Sequence, residues 1–144
     1  MSGSFADILN TPMNEVEKPK PRPVGSYIGV IQGAHKIEKI GKNETQAAIF
    51  TVKLIAPGPD VDPGELAAAG GIGERTVRVT QFLTKDALWR LKEFLLALGI
   101  EEGRGSMAEA MAQTPNRQAL FKIKHRPSPD GMTLFEEVDS VAAL

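Results

Sequence analysis

Two histidines, His35 and His125, are the side chains best suited to proton or metal chemistry near neutral pH. Neither has a partner at a useful spacing. A zinc site wants a second ligand a few residues away, and no His-x-x-x-His pattern occurs. Both are expected as half-buried or surface strand residues. Cysteine is absent, which removes thiol catalysis, disulfides and the softest metal ligands. Ser4, Ser26, Ser106, Ser128 and Ser140 stand in caps, turns or strand ends, none of them in a Gly-x-Ser-x-Gly elbow. Gly70-Gly71-Ile72-Gly73 lacks the Gly-Lys-Ser/Thr ending that cradles phosphate, and it leads into a strand instead of a helix. Glu136 and Glu137 are adjacent, so a strand would turn them to opposite faces. The chain is therefore expected to be a binding protein and no enzyme, with no cofactor and no metal.

Binding chemistry is better represented. Lys122, Lys124 and Arg126 alternate, so one strand would set them in a single positive row. Lys53 and Arg78 fall on mixed strand faces, and Lys39 and Lys42 lie at a hairpin. A barrel that gathers these could track a phosphate backbone. Bases also need flat rings to stack on, and Tyr27 and Phe82 are the candidates, because neither has to sit on the most apolar strand face. Phe50, Phe121 and Phe135 are assigned to the core. Alternating lysines equally suit a solvated edge strand that resists aggregation, and both readings of the row stand.

The whole chain sets the frame. Its 144 residues, 42% of them hydrophobic, fill one core and not two. No apolar run approaches the roughly 20 residues that span a bilayer, so no membrane partner is expected. The first seven residues carry Asp7 and no long apolar stretch, unlike a secretory signal. Seventeen Lys+Arg against 18 Asp+Glu leave a net charge of -1, but the signs are unevenly spread. Basic residues prevail from Lys18 to Lys53, and acids collect at Asp60, Asp62 and Glu65 and at Glu136, Glu137 and Asp139.

The elements that must position these side chains follow from pattern. Residues 1–23 read as an arm: a short apolar cluster, Phe5, Ile8 and Leu9, then a stiff segment with alternating prolines from Lys18 to Pro23. The barrel domain is expected over 24–144. Its first strand runs from Ser26 to about Ile40, interrupted by Gly29 and Gly33, where glycine suits a bulge or a sharp bend. The second, Gln46 to Ile55, alternates Ala48, Phe50, Val52 and Leu54 on its apolar face. A long insertion, Pro57 to Glu74, precedes a third strand from Arg75 to Leu83. Thr84 caps a helix ending at Gly99, whose core arc is Ala87, Leu88, Leu91, Phe94, Leu95 and Leu98. Trp89 and Leu96 fall outside that arc and, with Phe5, Ile8 and Leu9, are candidate partner-binding residues. Ser106-Met107-Ala108-Glu109 starts a short second helix. Strands from Arg117 to Arg126 and from Thr133 to Val141 close the chain around a Pro-Asp-Gly turn. Three strands, a helix and a hairpin are the element order of a mainly β, five-stranded OB-like barrel.

The stretch Pro23-Val24-Gly25-Ser26-Tyr27, an ionic hairpin, Ile49-Phe50-Thr51-Val52, a leucine-rich helix from Leu91 to Gly99 and a closing hairpin, Leu120 to Val138, together resemble a phage-encoded family of OB-fold single-stranded DNA-binding proteins. The resemblance spans Pro23 to Val141. It implies a non-catalytic protein of phage DNA replication or recombination in the cytoplasm of the infected bacterium. Its implied partners are single-stranded DNA, phage replication or recombination proteins and further copies of itself. The chain departs from the usual pattern in carrying its last acids inside the final strand and in its acid-bearing insertion, which would oppose DNA if it lay over the groove. A capsid-decorating or assembly protein of the virion, docking through the arm, is the alternative. A regulator that binds a host protein through the arm is a third.

Overall fold

The computed structural model describes residues 9–13, 20–103 and 105–144. Phe5, Ile8, Lys18 and Pro19 lie outside these, while Leu9 lies within them and is exposed. Among the described residues, six antiparallel strands and three short α-helices make a mainly β domain: β1 (Gly25–Ile31), β2 (Lys36–Ile40), β3 (Thr45–Pro57), α1 (Pro63–Ala68), β4 (Thr76–Phe82), α2 (Leu88–Ala97), α3 (Met107–Ala112), β5 (Gln118–Pro127) and β6 (Leu134–Ala142).

The expected first strand is two strands. β1 and β2 pair in turn with the same edge of the long β3, and the chain breaks between them, where Gly33 takes a φ of +70°. At that angle a Cβ would be strained, so glycine fits the bend. The register shifts once more within β1, between Ile28 and Gly29. Gly29 faces the core, where an added Cβ would stand 2.7 Å from both Phe121 Cδ2 and Val52 Cγ1. Absence of a side chain there is a packing requirement.

The sheet runs β2-β3-β1-β5-β6, with β4 on the other edge of β3. Counting β1 and β2 as one bent strand, this is the order of an OB-like barrel with one seam open. β4 and β6 approach one another but share no ladder. The alternation expected for β3 holds, since Ala48, Phe50, Val52 and Leu54 are fully buried. They meet Tyr27 and Ile31 of β1, Val77 and Val79 of β4, and Ala119, Phe121 and Ile123 of β5 in one core.

α2 plugs this core with Leu91, Phe94, Leu95 and Leu98, the Phe94 ring lying 4.8 Å from that of Phe50. Thr84 does cap the entry, its hydroxyl accepting from Ala87 N–H, but the first turn is 3-10 and the α-helix begins at Leu88. That tighter turn leaves Leu88 exposed instead of in the core arc. The insertion also folds. Asp62 caps α1 by accepting from Glu65 N–H, and Val61 and Leu66 drop into the core. Asp60 accepts from both Ser26 N–H (2.9 Å) and Ser26 Oγ–H (3.1 Å), tying the insertion to β1.

Candidate nucleic-acid interface

The open seam forms a concavity. A cleft of roughly 1260 Å³ runs between β4 and β6, with α2 along it. Its floor is apolar, where Val77, Val79, Phe94, Val138 and Val141 look into the gap that a closing ladder would have filled. The rim is built by outward-facing residues. β4 contributes Arg78 and Phe82, α2 contributes Trp89, Arg90 and Glu93, and β6 with β5 contributes Phe135, Glu137 and Arg126.

Three rings on this rim are half-exposed: Phe82 at 41%, Trp89 at 55% and Phe135 at 44%. Two carry an arginine. The Arg90 guanidinium lies 5.3 Å from the Trp89 ring centre, and that of Arg126 lies 5.5 Å from the Phe135 centre. A flat ring beside a guanidinium is the combination on which a base stacks while its phosphate is held. The carboxylates nearby are mostly engaged. Glu137 is 3.4 Å from Arg126 Nε, Asp139 is 3.3 Å from Lys124 Nζ, and Glu136 is held by Arg22.

The structure brings together only part of the expected site. Arg78, Phe82, Arg126 and Trp89 share the cleft, whereas Lys39, Lys42, Lys53, Lys122 and Lys124 do not line it. Lys122, Lys124 and Arg126 do form an exposed row on the outer face of β5. Each faces a carboxylate, however: Arg126 and Lys124 have the β6 partners just named, and the Lys122 charge acts on Asp60. Lys53 is half-buried on the outer face of β3, where Thr51 and not Lys53 is the cross-strand partner of Arg78. Lys39 is exposed on β2, and Lys42 stands in the turn beyond it.

Tyr27 is a correction. It is fully buried, and its hydroxyl donates to the Pro23 carbonyl at 2.6 Å, so it presents no face to a base. Burial, opposed by the Arg22 charge, pushes its phenol up to about 12. Phe135 is corrected in the opposite sense, from core to rim. It faces outward opposite Arg126 because its neighbour Glu136 turns inward opposite His125. The pair expectation for Trp89 and Leu96 divides: both are exposed on α2, but only Trp89 reaches the cleft. Arg90 and Phe135 were missed. Arg90 is visible in sequence only as the neighbour of an off-face tryptophan. No part of the insertion lines the cleft, so its acids do not oppose a ligand there.

Glu136 turns inward to meet Arg22, which is fully buried. Arg22 Nε and Nη2 donate to the two Glu136 oxygens, each at 2.8 Å, and Arg22 N–H adds a third bond at 2.7 Å. Arg22 Nη1 donates to the carbonyls of Ile72 (2.8 Å) and Arg75 (3.2 Å). His125 Nε2 lies 2.6 Å from the Arg22 carbonyl, which can only accept, so that nitrogen carries the proton. Arg75 donates to the Lys20 carbonyl at 3.0 Å. Burial pushes the Glu136 carboxyl up, but the Arg22 hydrogen bonds and charge outweigh it and hold the group below its ordinary value. Residues 20–23 are thus held against the end of the barrel.

No family model matches the chain, and no curated protein matches it in sequence. The solved structure of yeast RPA bound to ssDNA overlaps 100% of this chain and 88% of its own at 12% identity, with a TM-score of 0.35. An overlap that slight carries neither fold nor function across.

Proposed function

We propose that this chain is a non-catalytic binding protein for single-stranded DNA, and that the strand lies in the cleft between β4 and β6. The observation that supports this is the set of three half-exposed rings and three arginines on the rim of one elongated cleft. Phe82, Trp89 and Phe135 stack bases, while Arg78, Arg90 and Arg126 take phosphates. The cleft exceeds the roughly 300–1,000 Å³ of a small-molecule pocket, which favours an extended ligand. A duplex keeps its bases stacked inside and could not use the rings, so a single strand is the fitting form. The sequence resemblance to phage single-stranded DNA-binding proteins supports replication or recombination as the process served.

Fluorescence anisotropy with a labelled oligothymidylate tests this. Three phosphate contacts correspond to a log–log salt slope of about -2 for a single strand. Binding that is absent at low salt, or that survives alanine at both Phe82 and Trp89, sinks the reading.

A further inference from the structure

An OB-like barrel with an open seam needs something else to fix the distance between its two free edges. β4 and β6 have no ladder between them. The N-terminal ends of both strands nevertheless meet at one side chain. Glu136, near the start of β6, takes the guanidinium edge of Arg22, and the carbonyls of Ile72 and Arg75, immediately ahead of β4, take its Nη1. α2, which follows β4, touches both strands and backs the rest of the gap. Arg22 itself belongs to neither strand, and it reaches the seam from the proline segment ahead of β1.

We propose that Arg22 closes the barrel in place of the missing β4–β6 ladder, and that it is the positioning residue that sets the width of the cleft. The planar fork explains the residue type. One face pairs bidentately with a carboxylate while the remaining nitrogen holds two carbonyls, which a lysine ammonium cannot do across the same span. The prolines at 21 and 23 fix the backbone on either side, so the fork is presented without a large loss of freedom. Tyr27, His125 and Arg75 hold the carbonyls of Pro23, Arg22 and Lys20, which keeps the segment on the barrel. The rim residues Phe135 and Glu137 flank Glu136 in sequence, so a shift of Glu136 moves one wall of the cleft. Closure of the seam stands independently of what the cleft binds, whereas its effect on affinity rests on the DNA reading.

The absence of cysteine allows a direct measurement. Thr76→Cys and Leu134→Cys, both at exposed positions where the two edge strands begin, carry the spin labels. Pulsed electron resonance is expected to show one narrow distance in the parent. Arg22→Lys and Glu136→Gln should lengthen and broaden it while circular dichroism stays that of a folded β protein. An unchanged distribution in both variants overturns the proposal. Loss of the fold in both would overturn it equally, since Arg22 would then support the core as a whole and not the seam. Affinity for oligothymidylate is expected to fall about fivefold in Arg22→Lys, within the usual size of such coupling. A widened seam with unchanged affinity would leave the closure standing and remove the DNA reading instead.

Discussion

Glu136→Gln isolates the charge in the Arg22 pair with little change of shape. The Arg22 side chain is wholly buried and that of Glu136 is 11% exposed, so this pair sits in the regime where removing one partner strands a charge away from water. Such a loss costs about 3–5 kcal/mol, a large share of the roughly 5–15 kcal/mol that holds a domain folded. Unfolding entropy of about 2.1 cal/mol/K per residue over 144 residues amounts to about 0.3 kcal/mol/K, so the melting temperature should fall by about 10–16 °C. The pH dependence supplies a second arm. Because the folded carboxyl titrates below its ordinary value of 4.5, its stabilisation is present in full above that value and is lost as pH falls through the depressed one. The deficit of the variant should therefore shrink steadily on acidification below about pH 4.5. Melting curves of both proteins across that range give the answer. A variant within about 1 kcal/mol of the parent, or a deficit that does not narrow with acid, would refute the reasoning.

Three further outcomes are expected. Trp89→Ala and Phe82→Ala should each weaken oligothymidylate binding by about 1–3 kcal/mol, the usual worth of one stacked base, with an unchanged melting temperature. Tyr27 is the only tyrosine, so ultraviolet titration should show no phenolate until pH approaches about 12. The neutral phenol stabilises the fold below its unfolded value near 10, and that contribution is lost as pH rises through about 12. Gly29→Ala drives a methyl against Phe121 and Val52 at 2.7 Å and should cost about 1–3 kcal/mol in urea denaturation, although its backbone angle suits alanine.

What the chain reveals before folding depends on range. The buried face of β3 was legible because Ala48, Phe50, Val52 and Leu54 repeat every second residue, a local signal that a central strand obeys. The helix plug was legible for the same reason, except at Leu88, where a 3-10 entry rotates the first turn. The glycine at 33 marks a bend, but its consequence, two strands sharing one partner edge, needs the pairing itself. The facing of β6 at Phe135 is hidden in the sequence because charged residues are expected to face water. Glu136 faces inward only because an arginine from far up the chain meets it there, and no periodicity carries that information. Half of the candidate site failed for a related reason. The alternation of Lys122, Lys124 and Arg126 was visible, but the acids that answer them come from β6 and the insertion, and register decides which acid meets which base.

The Arg22–Glu136 bond joins residues 114 positions apart. On a ribosome adding roughly 5–20 residues per second, the arginine is made about 6–23 seconds before its carboxylate. For most of that interval β1 has no β5 to lie against, and residues 20–23 have no β6 to rest on. The meander of β2, β3 and β4 can form from neighbours in sequence while those segments wait. The closed end of the barrel then forms only after β6 is made, fixed by a residue made 114 positions before its partner.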